Sequence, residues 1–162
     1  MLESAATHAD ADWVYLHGPA GSGKTHLLLG TVTRAREAGR NAAYLPLQKA
    51  LGRLADALQA LEHHAVVALD DVQAIAGRAD DERALFDFHN RMHDAGHAVL
   101  YAGDAAPDRL DLKLLDLVSR LNQCARIRLQ PLDDAGRGEL LRQHADRRGL
   151  VLDAAAVDWL LQ

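Results

Sequence analysis

Residues Gly18-Pro19-Ala20-Gly21-Ser22-Gly23-Lys24-Thr25 satisfy the phosphate-binding pattern G-x-x-x-x-G-K-[ST] at every fixed position. The chemistry follows from the residue types. Glycines let successive backbone N–H groups curl around a phosphate, and a helix opening at the loop adds the positive end of its dipole. Lys24 is then placed to reach the β- and γ-phosphates of a nucleotide, and the Thr25 hydroxyl to hold Mg²⁺. With His26 next in line, the stretch 18–26 is the candidate nucleotide contact.

Three further points could complete such a site. Ala65-Val66-Val67-Ala68-Leu69 runs straight into Asp70-Asp71. An apolar strand that delivers a carboxylate to its C-terminal end is what phosphate-loop NTPases use to hold Mg²⁺. Asp70 is the candidate Mg²⁺ partner, and Asp71 the base or orienter of an attacking water; alternatively Asp71 only caps the turn at Val72. Asp104, in Ala102-Gly103-Asp104, could reach between these carboxylates and the γ-phosphate, or be a turn residue ahead of Pro107. Ser119-Arg120 stands among leucines with no local partner; Arg120 could act in trans on a neighbour's γ-phosphate, or form a salt bridge at a helix end.

Other reactive side chains carry less. His89 and His93 are four apart, but Asn90 stands where an H-E-x-x-H zinc motif needs its glutamate, so these are expected to be surface histidines. Cys124 has no triad around it, and Arg137, Arg142, Arg147 and Arg148 read as a solvated basic helix face, or alternatively as a contact for a nucleotide, DNA or an acidic partner.

The elements that must position these residues alternate. Met1–Asp12 shows no periodicity and reads as a loose lead-in. Strands are predicted at about 13–17, 41–45, 65–69, 98–101 and 125–129. Helices are predicted over Lys24–Ala38, Lys49–Glu62, residues 81–95 with Asp80 as cap, and Leu114–Leu121. That alternation implies an α/β fold, a parallel sheet flanked by helices, over residues 13–130. After Pro131 two helices follow in succession, capped by Asp133 or Asp134 and by Asp153, a helical appendage over 131–162.

Composition narrows the class. Eighteen basic against twenty-three acidic residues, a net charge of −5, argue against a protein that mainly coats nucleic acid. DNA contact is expected to be indirect or weak. No apolar run reaches bilayer-spanning length, so no membrane partner is expected, and one cysteine suits a reducing cytoplasm.

Taken in order, these motifs resemble those of the AAA+ ATPases of the DnaA group, and within it the Hda-type regulatory inactivators of DnaA. The resemblance rests on Gly18–Thr25, Asp70-Asp71, Gly103-Asp104 and Ser119-Arg120, together with Ile75-Ala76-Gly77, Phe86–Arg91, Leu129–Asp134 and Arg147-Arg148-Gly149. It covers nearly the whole chain from Trp13, and the short Leu47–His64 region fits Hda better than DnaA. The resemblance implies a five-stranded AAA+ sheet in the order 5-1-4-3-2, bound ATP or ADP with Mg²⁺, Asp104 as first sensor and Arg120 as arginine finger. It implies a DnaA-type initiator AAA+ domain as partner, whose ATP hydrolysis is stimulated to restrain replication initiation, and weak hydrolysis by the chain itself. Family members also bind the sliding clamp through a glutamine-containing motif, and Met1–Asp12 has no glutamine. The lid is expected to be truncated at Gln162, ahead of its arginine-bearing third helix. Two other readings stand beside this one: a self-sufficient AAA+ ATPase acting in its own homo-oligomer, and a fragment of a DnaA-type initiator.

Overall fold

The computed structural model describes residues 13–131, 133–149, 151 and 153–156. The lead-in Met1–Asp12 and the chain end at 157–162 lie outside the described residues. The chain divides into two units, one ending at Leu129 and the other beginning at Gln130.

In the first unit the strands are β1 (Val14–His17), β2 (Ala42–Pro46), β3 (Val66–Asp70), β4 (Ala98–Gly103) and β5 (Ala125–Arg128). The helices are α1 (Lys24–Glu37), α2 (Leu54–Gln59), α3 (Ala79–Asp94) and α4 (Leu115–Asn122). All four strand pairings are parallel and the order is β2-β3-β4-β1-β5, the expected 5-1-4-3-2 read from the other edge.

Period-two alternation splits the core into two layers. Val14, Leu16, Val66, Ala68 and Leu100 face Leu28, Val32 and Ala35 of α1. Tyr15, Val67, Leu69, Val99 and Tyr101 face the other way, onto Leu54 and Leu58 of α2, Leu85 and Phe88 of α3 and Leu117 and Leu121 of α4. Every residue of β3 is buried, as a central strand of a two-faced sheet requires. Burying each Val or Leu there stabilises the fold by about 1.5–3 kcal/mol. Pro46 is tolerated at the end of β2 because that strand is an edge.

Two predicted helices differ. The amphipathic run Lys49–Glu62 is not one helix but a 3₁₀ turn, Leu47–Ala50, followed by α2. The break is at Gly52, whose φ is +79° and whose N–H points at the Asp81 carboxylate (3.0 and 3.2 Å). A side chain from a distant helix thus takes a donor that local periodicity assigns to a helix. Likewise α3 begins at Ala79, with Asp80 inside its first turn rather than capping it. Its start is fixed instead by Glu82, which accepts from the Gly77 N–H at 2.8 Å. Gly39 and Gly96 follow α1 and α3 in the left-handed conformation of helix-ending glycines.

The second unit contains α5 (Asp134–Arg147), capped as expected by the Asp133 side chain, which accepts from the Gly136 N–H at 2.7 Å. Asp153 caps residues 154–156 in the same way, accepting from Ala156 N–H at 2.7 Å. Arg137, Arg142, Arg147 and Arg148 are all exposed. Among the described residues, no helix is long and apolar enough to cross a membrane.

Candidate functional site

Parallel strands bring their C-terminal ends to one edge of the sheet, where α/β proteins bind ligands. Here that edge gathers the loop after β1, the carboxylates after β3 and the turn after β4. The close approach has a steric signature. Gly18 N–H bonds to Gly103 O at 3.3 Å, and a Cβ on Gly18 would lie 2.4 Å from Leu129 O. A Cβ on Gly103 would lie 2.3 Å from the Tyr15 hydroxyl, which itself donates to Ala105 O at 2.8 Å. Tyr15 thereby holds the turn carrying Asp104.

The resulting cavity, about 770 Å³, is lined by Ala20–His26, Leu29, Asp70, Asp71, Gln73 and Asp104. Its floor suits an anion. The N-terminus of α1 has no side-chain cap and no acidic residue in its first turn, and Gly23 at its head is left-handed. Lys24 Nζ folds over the loop and donates to Gly18 O (2.5 Å), Pro19 O (2.9 Å) and Ser22 Oγ (3.4 Å). These acceptors are neutral, and a phosphate would take their place with a charge-assisted contact.

Asp70 is almost fully buried, and three donors hold its carboxylate. Thr25 Oγ1 donates to Oδ2 at 2.5 Å, the Tyr44 hydroxyl to the same oxygen at 2.8 Å, and the Asp71 N–H to Oδ1 at 2.9 Å. A hydroxyl and a carboxylate meeting beside an anion cradle fit a hard divalent cation such as Mg²⁺, which takes oxygen ligands together with substrate phosphates. Burial, then the Asp70 carboxylate, push the Tyr44 hydroxyl pKa well above 10, so Tyr44 stays a donor. Tyr44 was not flagged by any motif; its only trace is its place one turn of pleat before the end of β2.

Asp71 takes a left-handed conformation (φ 59°, ψ 47°) at the head of the 3₁₀ turn Val72–Ile75, with no side-chain cap. Its Oδ1 accepts instead from Gln73 Nε2 at 3.3 Å, and Gln73 Oε1 accepts from the Asp104 N–H at 3.2 Å. Gln73 is the second residue that motif reading passes over.

The structure brings the loop, Asp70, Asp71 and Asp104 together, but not Arg120. Arg120 is exposed on α4 and lines a second cavity of about 470 Å³ with His89, Asn90, His93, Asp94 and Gln123. The base of α4 is held by the buried Glu82 carboxylate, which also accepts from the N–H groups of Lys113 (2.8 and 3.1 Å) and Leu114 (2.7 Å). His89 is not the surface histidine expected. It is buried, stacks edge-on against Trp13 (4.4 Å) and shares a hydrogen bond with the Tyr101 hydroxyl (2.9 Å). Burial, then the Arg120 charge and His93, lower its pKa to about 4. Cys124 is buried, and burial pushes its thiol up to about 12, an inert group at neutral pH.

A glycine-rich loop at a helix N-terminus, an adjacent Thr–Asp pair and this strand order define a P-loop nucleotide-binding domain of the AAA+ arrangement. The chain belongs to the bacterial DnaA ATPase domain family, whose model matches residues 2–127. Solved structures agree at the level of the fold. Domain III of the Thermotoga maritima replication initiation protein DnaA superposes with a TM-score of 0.80 at 24% identity, covering 98% of this chain and 71% of that one. AMPPCP-bound DnaA from Aquifex aeolicus gives 0.75 at 23% identity, covering 99% and 52%. DnaA bound to AMPPCP and single-stranded DNA gives 0.75 at 23%, covering 98% and 53%. The chain thus spans about half the length of these last two proteins.

Proposed function

We propose that this chain is an adenine-nucleotide-binding AAA+ regulator of replication initiation, of the Hda type, that stimulates ATP hydrolysis on a DnaA-type initiator. Gly18–His26 bind the phosphates, with Lys24 giving up its loop carbonyls for the β- and γ-phosphates. Thr25 and Asp70 hold Mg²⁺, which neutralises charge between the phosphates when bound. Asp71 orients water and Asp104 senses the terminal phosphate. Arg120 is presented to the nucleotide of the partner.

The observation that carries this reading is the separation of Arg120 from its own chain's phosphate cavity: it lines a different, polar cleft on an exposed helix. An arginine placed there serves a neighbour's nucleotide or none. The test is phosphate release by an ATP-loaded DnaA-type initiator mixed with the purified chain. Arginine fingers contribute about 10³-fold or more to hydrolysis, so Arg120→Ala should abolish the stimulation. Equal stimulation by both proteins would sink the assignment.

A second reading, the ATPase-domain portion of a DnaA-type initiator, draws support from the match to DnaA domain III. It requires salt-sensitive binding to single-stranded DNA and no stimulation of a separate initiator. The third, a self-sufficient ATPase, requires specific activity that rises with its own concentration.

A further inference from the structure

Gln73 lines the phosphate cavity between two carboxylate-bearing residues, and its carboxamide is engaged at both ends. Nε2 donates to Asp71 Oδ1 at 3.3 Å, while Oε1 accepts from the Asp104 N–H at 3.2 Å. A carboxamide does both at neutral pH, whereas a carboxylate lacks the donor and an aliphatic chain lacks both groups. The geometry matters because Asp71 and Asp104 both line the cavity, and both carry negative charge toward the space a terminal phosphate would fill. Asp71 is also held in a left-handed backbone conformation that a non-glycine residue adopts at a cost.

We infer that Gln73 is a positioning residue that draws the Asp71 carboxylate toward the Asp104 turn and so sets the discrimination between nucleoside di- and triphosphate. The inference rests on the nucleotide reading of this cavity. An amide N–H on Oδ1 offsets part of the Asp71 charge and fixes its direction. With that donor removed, the carboxylate turns free beside the terminal phosphate and repels it, whereas a diphosphate does not extend so far. Asp104 is tied to the same amide, so a shift of its turn on meeting the terminal phosphate is felt by Asp71.

The test measures dissociation constants for AMPPCP and ADP, each with Mg²⁺, by calorimetry on the native chain, Gln73→Leu and Gln73→Glu. Loss of one hydrogen bond of ordinary strength corresponds to about fivefold in an equilibrium constant. The ratio of the AMPPCP constant to the ADP constant should rise about fivefold in Gln73→Leu and further in Gln73→Glu, which adds a third carboxylate. A purely structural role would weaken both nucleotides in step; that outcome, or an unmoved ratio, overturns the inference. Native protein that binds neither nucleotide overturns the reading of the cavity itself, a result distinct from an unmoved ratio.

Discussion

Thr25 Oγ1, at the head of α1, donates a 2.5 Å hydrogen bond to Asp70 Oδ2, at the end of β3. The two residues come from different strand–helix units, and their meeting joins the phosphate loop to the carboxylate strand. A bond to an ionised group contributes about 1.5–3 kcal/mol. Asp70→Asn should therefore reduce the Mg²⁺-dependent gain in ADP affinity by about tenfold while leaving Mg²⁺-free binding nearly intact. Calorimetry with and without Mg²⁺ checks this; equal losses in both conditions would contradict the cation role.

Lys24 Nζ rests on loop oxygens that a phosphate would displace. Lys24→Ala should weaken ADP binding at least about tenfold, the effect of losing one charge-assisted contact. Because, among the described residues, the ammonium bonds only to oxygens of its own loop, the urea midpoint should hardly move. A variant that binds ADP as the native protein does would remove the loop from the candidate site.

Gly103 is required by packing rather than by backbone freedom, since a Cβ would meet the Tyr15 hydroxyl at 2.3 Å. Gly103→Ala should destabilise the fold by about 1–3 kcal/mol, the usual range for overpacking. Tyr15→Phe removes the offending oxygen, so the double variant should be less destabilised than the sum of the two single changes. Strict additivity in urea unfolding would refute the clash.

Glu82 is buried and accepts from the backbone of Gly77, Lys113 and Leu114. Glu82→Gln replaces an acceptor oxygen by a donor facing N–H groups. We expect a loss of about 2–3 kcal/mol, read by chemical denaturation. Hydrogen exchange should show the loss concentrated at Gly77 and Leu114, where the carboxylate ties two loops to α3. Uniformly faster exchange through the whole sheet would argue against that local role.

His89 gives a pH dependence with a definite sign. Its folded pKa, about 4, lies below its unfolded value of 6.5, so the unfolded chain binds the extra proton between these limits. Stability should be complete above about pH 6.5 and decline as pH falls toward 4, by up to roughly 1–3 kcal/mol. Urea midpoints at about pH 7 and about pH 5 measure it, and His89→Gln should flatten the slope. A slope that survives the substitution would assign the titration elsewhere.

Much of the candidate site was legible locally. The eight-residue loop carries its own chemistry, and the apolar run ahead of Asp70 announces a buried strand with a carboxylate at its end. Asp104 could be named only as a polar residue after a strand. Tyr44, Gln73 and Glu82 were invisible because each acts through a partner in another element, and nothing at Gln73 itself marks it as a bridge. The two helix misreadings share that cause: Asp81 and Glu82 bind backbone N–H groups at Gly52 and Gly77, one far away in sequence and one just ahead of α3.

By itself, then, the sequence determined the five strands, their alternation with helices and the candidate phosphate loop, because strand alternation, helix periodicity and glycine-rich turns are properties of neighbouring residues; two helix boundaries it did not determine. The tertiary structure alone decided which side chains share a site. It set Thr25 and Tyr44 on one oxygen of Asp70, bridged Asp71 to Asp104 through Gln73, buried His89 and placed Arg120 in a cavity other than the one the glycine-rich loop lines. Those relationships depend on the order in which parallel strands line up. That order is fixed by packing across the sheet, not by any single stretch of chain.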